Sequence, residues 1–167
     1  MNLYISGLGQ DSHRFRADGT SGLTLGGLFF EHLPALAGNS DADVLLHALC
    51  NAISSVTGQP VLGARADALC QQGIRDSQAY LDLACRDLRA QPEKWQVLHI
   101  AFSLEGARPR IEPIRSAICA HVAQLMQIPE RAVALTATSG EGLTGPGRGE
   151  GIACFCLISL AGETAED

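Results

Sequence analysis

The chain has 167 residues, 46% of them hydrophobic, with 18 acidic against 12 basic residues and a net charge of −6. That composition is enough for one domain with a real core, and it argues against a nucleic-acid coat or a charge-held membrane binder. Lys94 stands alone beside eleven arginines, so an anion site here relies on arginine, backbone N–H groups or metal. No run approaches the ~18 apolar residues that span a bilayer, and Met1–Gly7 lacks the basic start and apolar stretch of a signal peptide. The six cysteines lie in apolar segments without a CxxC spacing and read as free thiols. The expectation is one cytoplasmic domain covering residues 1–167.

In chain order, Leu3–Gly7 reads as a strand and Leu23–Phe30 as another after a glycine-rich turn. Residues 40–56 carry the strongest helix pattern: Ser40 as N-cap, Asp43 at the capping-box position, and Val44, Leu45, Ala48, Leu49, Ala52 and Ile53 on one apolar face. A second helix covers Asp76–Ala90, turning Tyr80, Leu81, Leu83, Ala84 and Leu88 inward. Gln96–Leu104 alternates as a strand, and Pro113–Gln127 is helical with proline in its first turn. Val133–Thr138 and Ile152–Leu160 complete the strands. The alternation predicts a layered α/β arrangement, with helices packed on one sheet.

Three groups carry possible chemistry. Asp11 and His13, two apart in an extended segment, project to one side of the chain and can share a metal, though an exposed loop pair reads the same way. Asp43 and His47 are i, i+4 neighbours on a helix, and Asp41 and Asp43 sit where the helix dipole favours negative charge. A cap with a histidine bonded to Asp43 explains that segment equally well. If the helix starts near Asp11 and His13, His47 becomes a third ligand, and two histidines with one carboxylate leave the open position of a catalytic zinc site. The third group is Thr136–Gly151, where six glycines with Thr138, Ser139 and Thr144 form either a flexible turn or an anion cradle. There Glu141 suits a hard ion such as Mg²⁺, and Arg148 and Glu150 either pair or face a common cavity. The run fits neither a P-loop nor a dinucleotide fingerprint.

Four stretches together resemble the 2-C-methyl-D-erythritol 2,4-cyclodiphosphate synthase family. Gly7-Leu-Gly-Gln-Asp-Ser-His-Arg-Phe15 is similar to its G-x-G-x-D-x-H-x-F start, and Leu25-Gly-Gly27 with Gly38–Leu49 to its GG…GHSDADVLLHAL stretch. Ile74-Arg-Asp-Ser77 resembles the G-A-D-S that opens the next helix. Thr136–Thr138 with Glu141, Leu143 and Gly147–Ala153 resembles the closing K-A-T-T-x-E-x-L-G-F-x-GRGEGIA. The resemblance implies a ferredoxin-like α+β fold with helices on one sheet face, and a homotrimer with active sites between neighbouring subunits. It implies zinc on Asp11, His13 and His47, and Mg²⁺ or Mn²⁺ on Glu141, which with Thr138 would be catalytic. Ser40, Asn39, Asp43, Gly63, Arg110, Ser139 and Arg148 would bind substrate, and Arg148 with Glu150 would face a trimer cavity able to hold an isoprenoid diphosphate.

The departures are concentrated. Asn39 replaces a histidine, Asn51 an aspartate, Thr136 a lysine and Gly145-Pro146 a phenylalanine turn, while Val61–Leu69 replaces the G-D-I-G-x-x-F-P-D segment. Pro109-Arg110 stands for the Pro-Lys of the cytosine pocket. The favoured expectation is therefore an active synthase releasing CMP from 4-diphosphocytidyl-methylerythritol 2-phosphate. The competitors are a cyclase for another CDP-polyol phosphate, a non-catalytic zinc trimer holding an isoprenoid diphosphate, and a metal-dependent phosphohydrolase.

Overall fold

A computed structural model describes residues 2–163. The strands are β1 (Asn2–Arg14), β2 (Ser21–Leu25), β3 (Leu28–Pro34), β4 (Gln96–Glu105), β5 (Val133–Thr138) and β6 (Gly151–Glu163). The helices are α1 (Val44–Thr57), α2 (Ala64–Gln71), α3 (Ser77–Arg89) and α4 (Arg115–Met126). Among the described residues one sheet has the order β1-β6-β4-β5, with β4 and β5 parallel and the other pairs antiparallel. The hairpin β2–β3 forms a separate two-stranded sheet.

Alternation along the strands sorts the main sheet into two faces. Ile100, Phe102, Leu104, Ile152, Cys154, Cys156, Ile158 and Leu160 are buried beneath the helices. The opposite face leaves Tyr4, Leu8, Phe155 and Leu157 exposed, 70%, 59%, 45% and 42% respectively. The expectation of helices on one face of a mixed α/β sheet holds. The six cysteines are free; Cys50, Cys119, Cys154 and Cys156 are buried, whereas Cys70 and Cys85 are half-buried.

Several short-range features differ from the sequence expectation. β1 runs on to Arg14 rather than ending at Gly7, and α4 begins at Arg115, which leaves Pro113 ahead of the helix rather than in its first turn. Leu23–Phe30 is not one strand: Gly26 and Gly27 both adopt positive φ, 63° and 80°, and fold the segment into the β2–β3 hairpin. The first long helix begins at Val44 rather than Ser40, and Asp43, not Ser40, is its N-cap, accepting from the N–H groups of Leu45 and Leu46. The same carboxylate accepts from Gly26 and Gly27 at 2.9 and 2.6 Å, so one fully buried side chain pins the hairpin turn to the start of α1. Helix α2 carries no strong sequence signal, because Ala66 is its one buried residue among those described.

The packing that builds the site is the contact of α1 with β1. Gly7 and Gly9 point at the helix, and a methyl on either would overlap a backbone carbonyl of α1, Ala52 and Ala48 respectively. Glycine lets strand and helix approach backbone to backbone. The period of two that aims Gly7 and Gly9 at α1 also aims Asp11 and His13 at it, beside His47.

Candidate metal centre and cleft

Asp11 and His13 lie on β1, and His47 lies in the first turn of α1. Asp11 Oδ2 stands 2.8 Å from His13 Nε2 and 3.0 Å from His47 Nδ1, and the two ring nitrogens are 3.1 Å apart. The rings tilt by 57° with centroids 5.2 Å apart, so both present edges, not faces, to the carboxylate. These three atoms form the cluster of possible metal ligands among the described residues.

The surroundings decide which ring nitrogens carry protons. Backbone carbonyl oxygen accepts only, so Ala37 O at 2.9 Å takes a hydrogen from His13 Nδ1 and leaves Nε2 turned to the cluster. His47 Nε2 meets Ser77 Oγ at 2.8 Å and Ser40 Oγ at 3.4 Å, while Nδ1 faces Asp11. Burial by itself would raise the Asp11 pKa, but hydrogen bonds and charge from His13 and His47 prevail and bring it down to about 2. Burial opposes protonation of His13, yet the bond and charge of Asp11 carry its pKa above 6.5. Three atoms that are all acceptors when deprotonated lie within 3.1 Å of one another, a geometry that calls for a proton between them when no cation is there. A divalent cation fits in that proton's place: one carboxylate oxygen and two imidazole nitrogens suit zinc and its neighbours in the first transition row.

Beside the cluster a cavity of about 170 Å³ is lined by Asn39, Ser40, Gly63, Asp67, Cys70 and Tyr80, among others. Asn39, Ser40 and Gly63, three of the residues expected to bind substrate, line this cavity. Asp43 does not. Its carboxylate is fully buried under four backbone N–H groups and reaches no cleft, so its expected role in substrate binding is replaced by a structural one. Asn51 donates its side-chain N–H to Gln10 O at 2.9 Å, a backbone tether between α1 and β1.

The Thr138–Glu141 segment lies elsewhere. Ser12 pairs with Ala153, Ala153 with Glu105, and Glu105 with Thr138, a single row across all four strands. Three inter-strand spacings of ~4.8 Å put Thr138 roughly 14 Å from Ser12, at the opposite sheet edge from the metal ligands. Past Thr138 the chain turns through a short 3₁₀ segment, Gly140–Gly142, with Glu141 at φ 50°. Ser139 Oγ donates to Glu141 Oε1 at 3.0 Å, and Thr138 Oγ1 accepts from Gly140 N. Arg110 shares this edge, bordering a surface recess with Ala137 and Arg115. Arg148 Nε donates to Glu150 Oε1 at 3.0 Å, so the two side chains pair within the chain.

Two residues near the metal ligands went unassigned by sequence reasoning. Ser77 is fully buried and bonded to His47, and Asp41 accepts from both the N–H and the hydroxyl of Ser77. An Asp-Ser pair opening a helix signals only a cap, which Asp76 provides by accepting from Gln78 N at 2.9 Å. The contact with His47 crosses 30 residues and leaves no local trace.

Fold and site together define an α/β protein with a cluster of potential metal ligands at one edge of a mixed sheet. Residues 4–161 match the YgbB family model, and the chain belongs to that family. It is 45% identical over 160 residues to 2-C-methyl-D-erythritol 2,4-cyclodiphosphate synthase of Chlamydia muridarum, covering 95% of this chain and 88% of the relative. The Chlamydia caviae enzyme of the same name is 43% identical over 161 residues, covering 95% and 90%. The Plasmodium vivax synthase structure superposes with a TM-score of 0.76 at 24% identity over 95% of this chain and 97% of that one. A Plasmodium falciparum structure described as a CDP complex gives 0.78 at 22% over 98% and 99%, a likeness of fold.

Proposed function

We propose that this protein is an active 2-C-methyl-D-erythritol 2,4-cyclodiphosphate synthase of isoprenoid biosynthesis, an enzyme of the lyase kind that releases CMP. Its relatives carry that name over 95% of the chain. The observation that carries the reading is the Asp11–His13–His47 cluster, with all three ligand atoms within 3.1 Å of one another beside a cleft.

In the reaction, an oxygen of the substrate's 2-phosphate bonds to the β-phosphorus. The bond from that phosphorus to the oxygen bridging to CMP breaks, and CMP departs with the electron pair. Asp11, His13 and His47 would hold a divalent ion, zinc in this reading, and Glu141 would hold Mg²⁺ or Mn²⁺; bound there, these ions would neutralise phosphate charge. The chain's own groups do the positioning. Ser40 Oγ already accepts from Ala42 N at 3.2 Å, so its hydroxyl hydrogen serves a phosphate oxygen. Thr138 Oγ1 accepts from Gly140 N and turns its own hydrogen outward in the same way. Asn39 and Gly63 line the cleft beside the cluster, while Ser139 and Arg110 lie at the opposite sheet edge. Catalysis then comes from alignment and charge, without a covalent intermediate.

The two halves of this site stand roughly 14 Å apart across one chain's sheet, too far for one diphosphate to join. A ring of subunits that sets the β1 edge of one chain beside the β5 edge of the next brings them together, and a homotrimer is the state proposed. The exposed apolar face supports it: Leu8 and Leu157 are paired across β1 and β6, with Phe155 and Tyr4 on the same side. Arg148 and Glu150 would border the cavity inside that ring, the place for an isoprenoid diphosphate. No helix among the described residues is long and apolar enough to cross a membrane, and the cytoplasm is the proposed location.

The test is phosphorus NMR of the protein with 4-diphosphocytidyl-methylerythritol 2-phosphate and Mg²⁺. Cyclic diphosphate and CMP should appear, and a His13→Ala variant should give neither. An unchanged substrate spectrum with metal bound would overturn the proposal.

A further inference from the structure

We infer that Asp41 and Ser77 are positioning residues that dictate which nitrogen of His47 is free to bind the ion. The inference rests on the reading of Asp11, His13 and His47 as metal ligands. It begins with donor counting. Ser77 Oγ has one hydrogen to give, and its neighbours are the Asp41 carboxylate and His47 Nε2. An ionised carboxylate only accepts. Asp41 Oδ2 already takes the Ser77 backbone N–H at 3.0 Å, and Oδ1 takes the hydroxyl hydrogen. Ser77 Oγ must therefore accept from His47, at 2.8 Å, and Nε2 carries the proton. A neutral imidazole holds one proton, so Nδ1 is left with a bare lone pair, and Nδ1 is the atom that faces Asp11 and His13.

The relay is built to be one-directional. Ser77 is fully buried at the start of α3, where water cannot exchange partners with it. Asp41 is held in turn by its own N–H bonded to Arg75 O at 3.0 Å, on the segment entering α3. A loop before α1 and the first residue of α3 thus converge on a ligand carried by α1. The ordering also frees Ser40: His47 Nε2–H is committed to Ser77, so the Ser40 hydroxyl, 3.4 Å away, keeps its hydrogen for the cleft. Outer-shell partners of a ligating histidine fix its tautomer and raise its basicity, and losing them typically costs 10–100-fold in metal affinity.

Asp41→Asn tests this with almost no change of shape. With the asparagine oxygen kept on the Ser77 N–H, its amide replaces the Oδ1 that takes the Ser77 hydroxyl and, at 3.3 Å, the Asp43 N–H, and it donates to Ser77 Oγ. The serine hydrogen then turns toward His47 Nε2, which asks for the tautomer with Nδ1 protonated. Zn²⁺ affinity, measured by competition with a chromophoric chelator, should fall about 10–100-fold in Asp41→Asn and in Ser77→Ala. Asp76→Ala removes the α3 cap without touching the relay and should leave the affinity at the wild-type value. In the zinc-loaded wild type, long-range proton–nitrogen NMR of histidine-labelled protein should show His47 protonated at Nε2 with its proton protected from exchange. The opposite tautomer, or affinities of Asp41→Asn and Ser77→Ala within twofold of wild type, overturns the inference even if one variant does not fold. Failure of the wild type itself to bind Zn²⁺ would instead overturn the metal reading beneath it.

Discussion

The two edges of the sheet are built on opposite principles. At the β1 edge, Asp11, His13 and His47 are held by strand register, by the close approach that Gly7 and Gly9 permit, and by partners on Ala37 and Ser77. At the β5 edge, Thr138, Ser139 and Glu141 are exposed, and their hydrogen bonds are mostly among themselves. The first is organised within one chain before any ligand arrives. In the proposed homotrimer the second gains its surroundings from another subunit and the substrate. A site divided this way would tie activity to assembly, while metal binding would belong to the single chain.

Separating metal binding from turnover breaks that contrast most sharply. His47→Ala removes a ligand and should abolish both, with turnover down by ~10³-fold or more, since a metal's share of charge stabilisation is several kcal/mol. Glu141→Ala should cut turnover by about 10²–10³-fold, the range for losing one electrostatic contact in a transition state, yet leave Zn²⁺ stoichiometry intact by elemental analysis. Equal loss of zinc in both variants would dissolve the distinction between the edges. Mixing the two variants gives a sharper version: subunits lacking His47 and subunits lacking Glu141 should restore part of the activity in mixed rings, because some interfaces then pair two intact halves.

Smaller effects probe what holds the β1 edge in place. Gly9→Ala forces β1 away from Ala48, and overpacking of this kind typically costs 1–3 kcal/mol. Thermal unfolding should show the loss, accompanied by weaker Zn²⁺ binding, whereas Gly58→Ala at the end of α1 meets open space and should lower stability only through its positive φ of 68°, with zinc affinity kept.

The smallest expected effect is graded by pH. His13 has a folded pKa above its ordinary 6.5, so in the metal-free protein its contribution to stability is complete below 6.5 and is lost as pH rises through the folded value. Asp11 is depressed from 3.8 to about 2, so its contribution is present above 3.8 and lost as pH falls toward 2. The metal-free pair is therefore most stabilising between these limits. An ion must displace the His13 proton, so Zn²⁺ affinity should rise about tenfold per pH unit below that pKa and level off above it. Titration calorimetry at several pH values checks this, and a flat profile would remove His13 from the ligand set.

Sequence alone determined the parts whose physics is local. Asp11 and His13 share a side because a strand alternates with period two, and His47 rides an amphipathic helix whose apolar stripe is plain from Val44 to Val56. The Thr138–Glu141 turn was equally visible, because threonine, serine and glycine declare a tight turn within a few residues. Tertiary structure decided everything that depends on contacts between distant segments. Asp43 has the charge and spacing of a site residue, but the Gly26–Gly27 turn buries it and makes it a hinge pin. Ser77 looks like an ordinary helix start, yet it meets a histidine 30 residues earlier. Helix α2 folds because Val61 is buried and Ala66 N bonds back to Val61 O at 3.1 Å, and its own sequence hardly asks for a helix. The separation of the two half-sites is of the same kind. Thr138 and Ser12 occupy one row of the sheet, but β6 and β4 lie between them, and strand order is set by how the whole core packs.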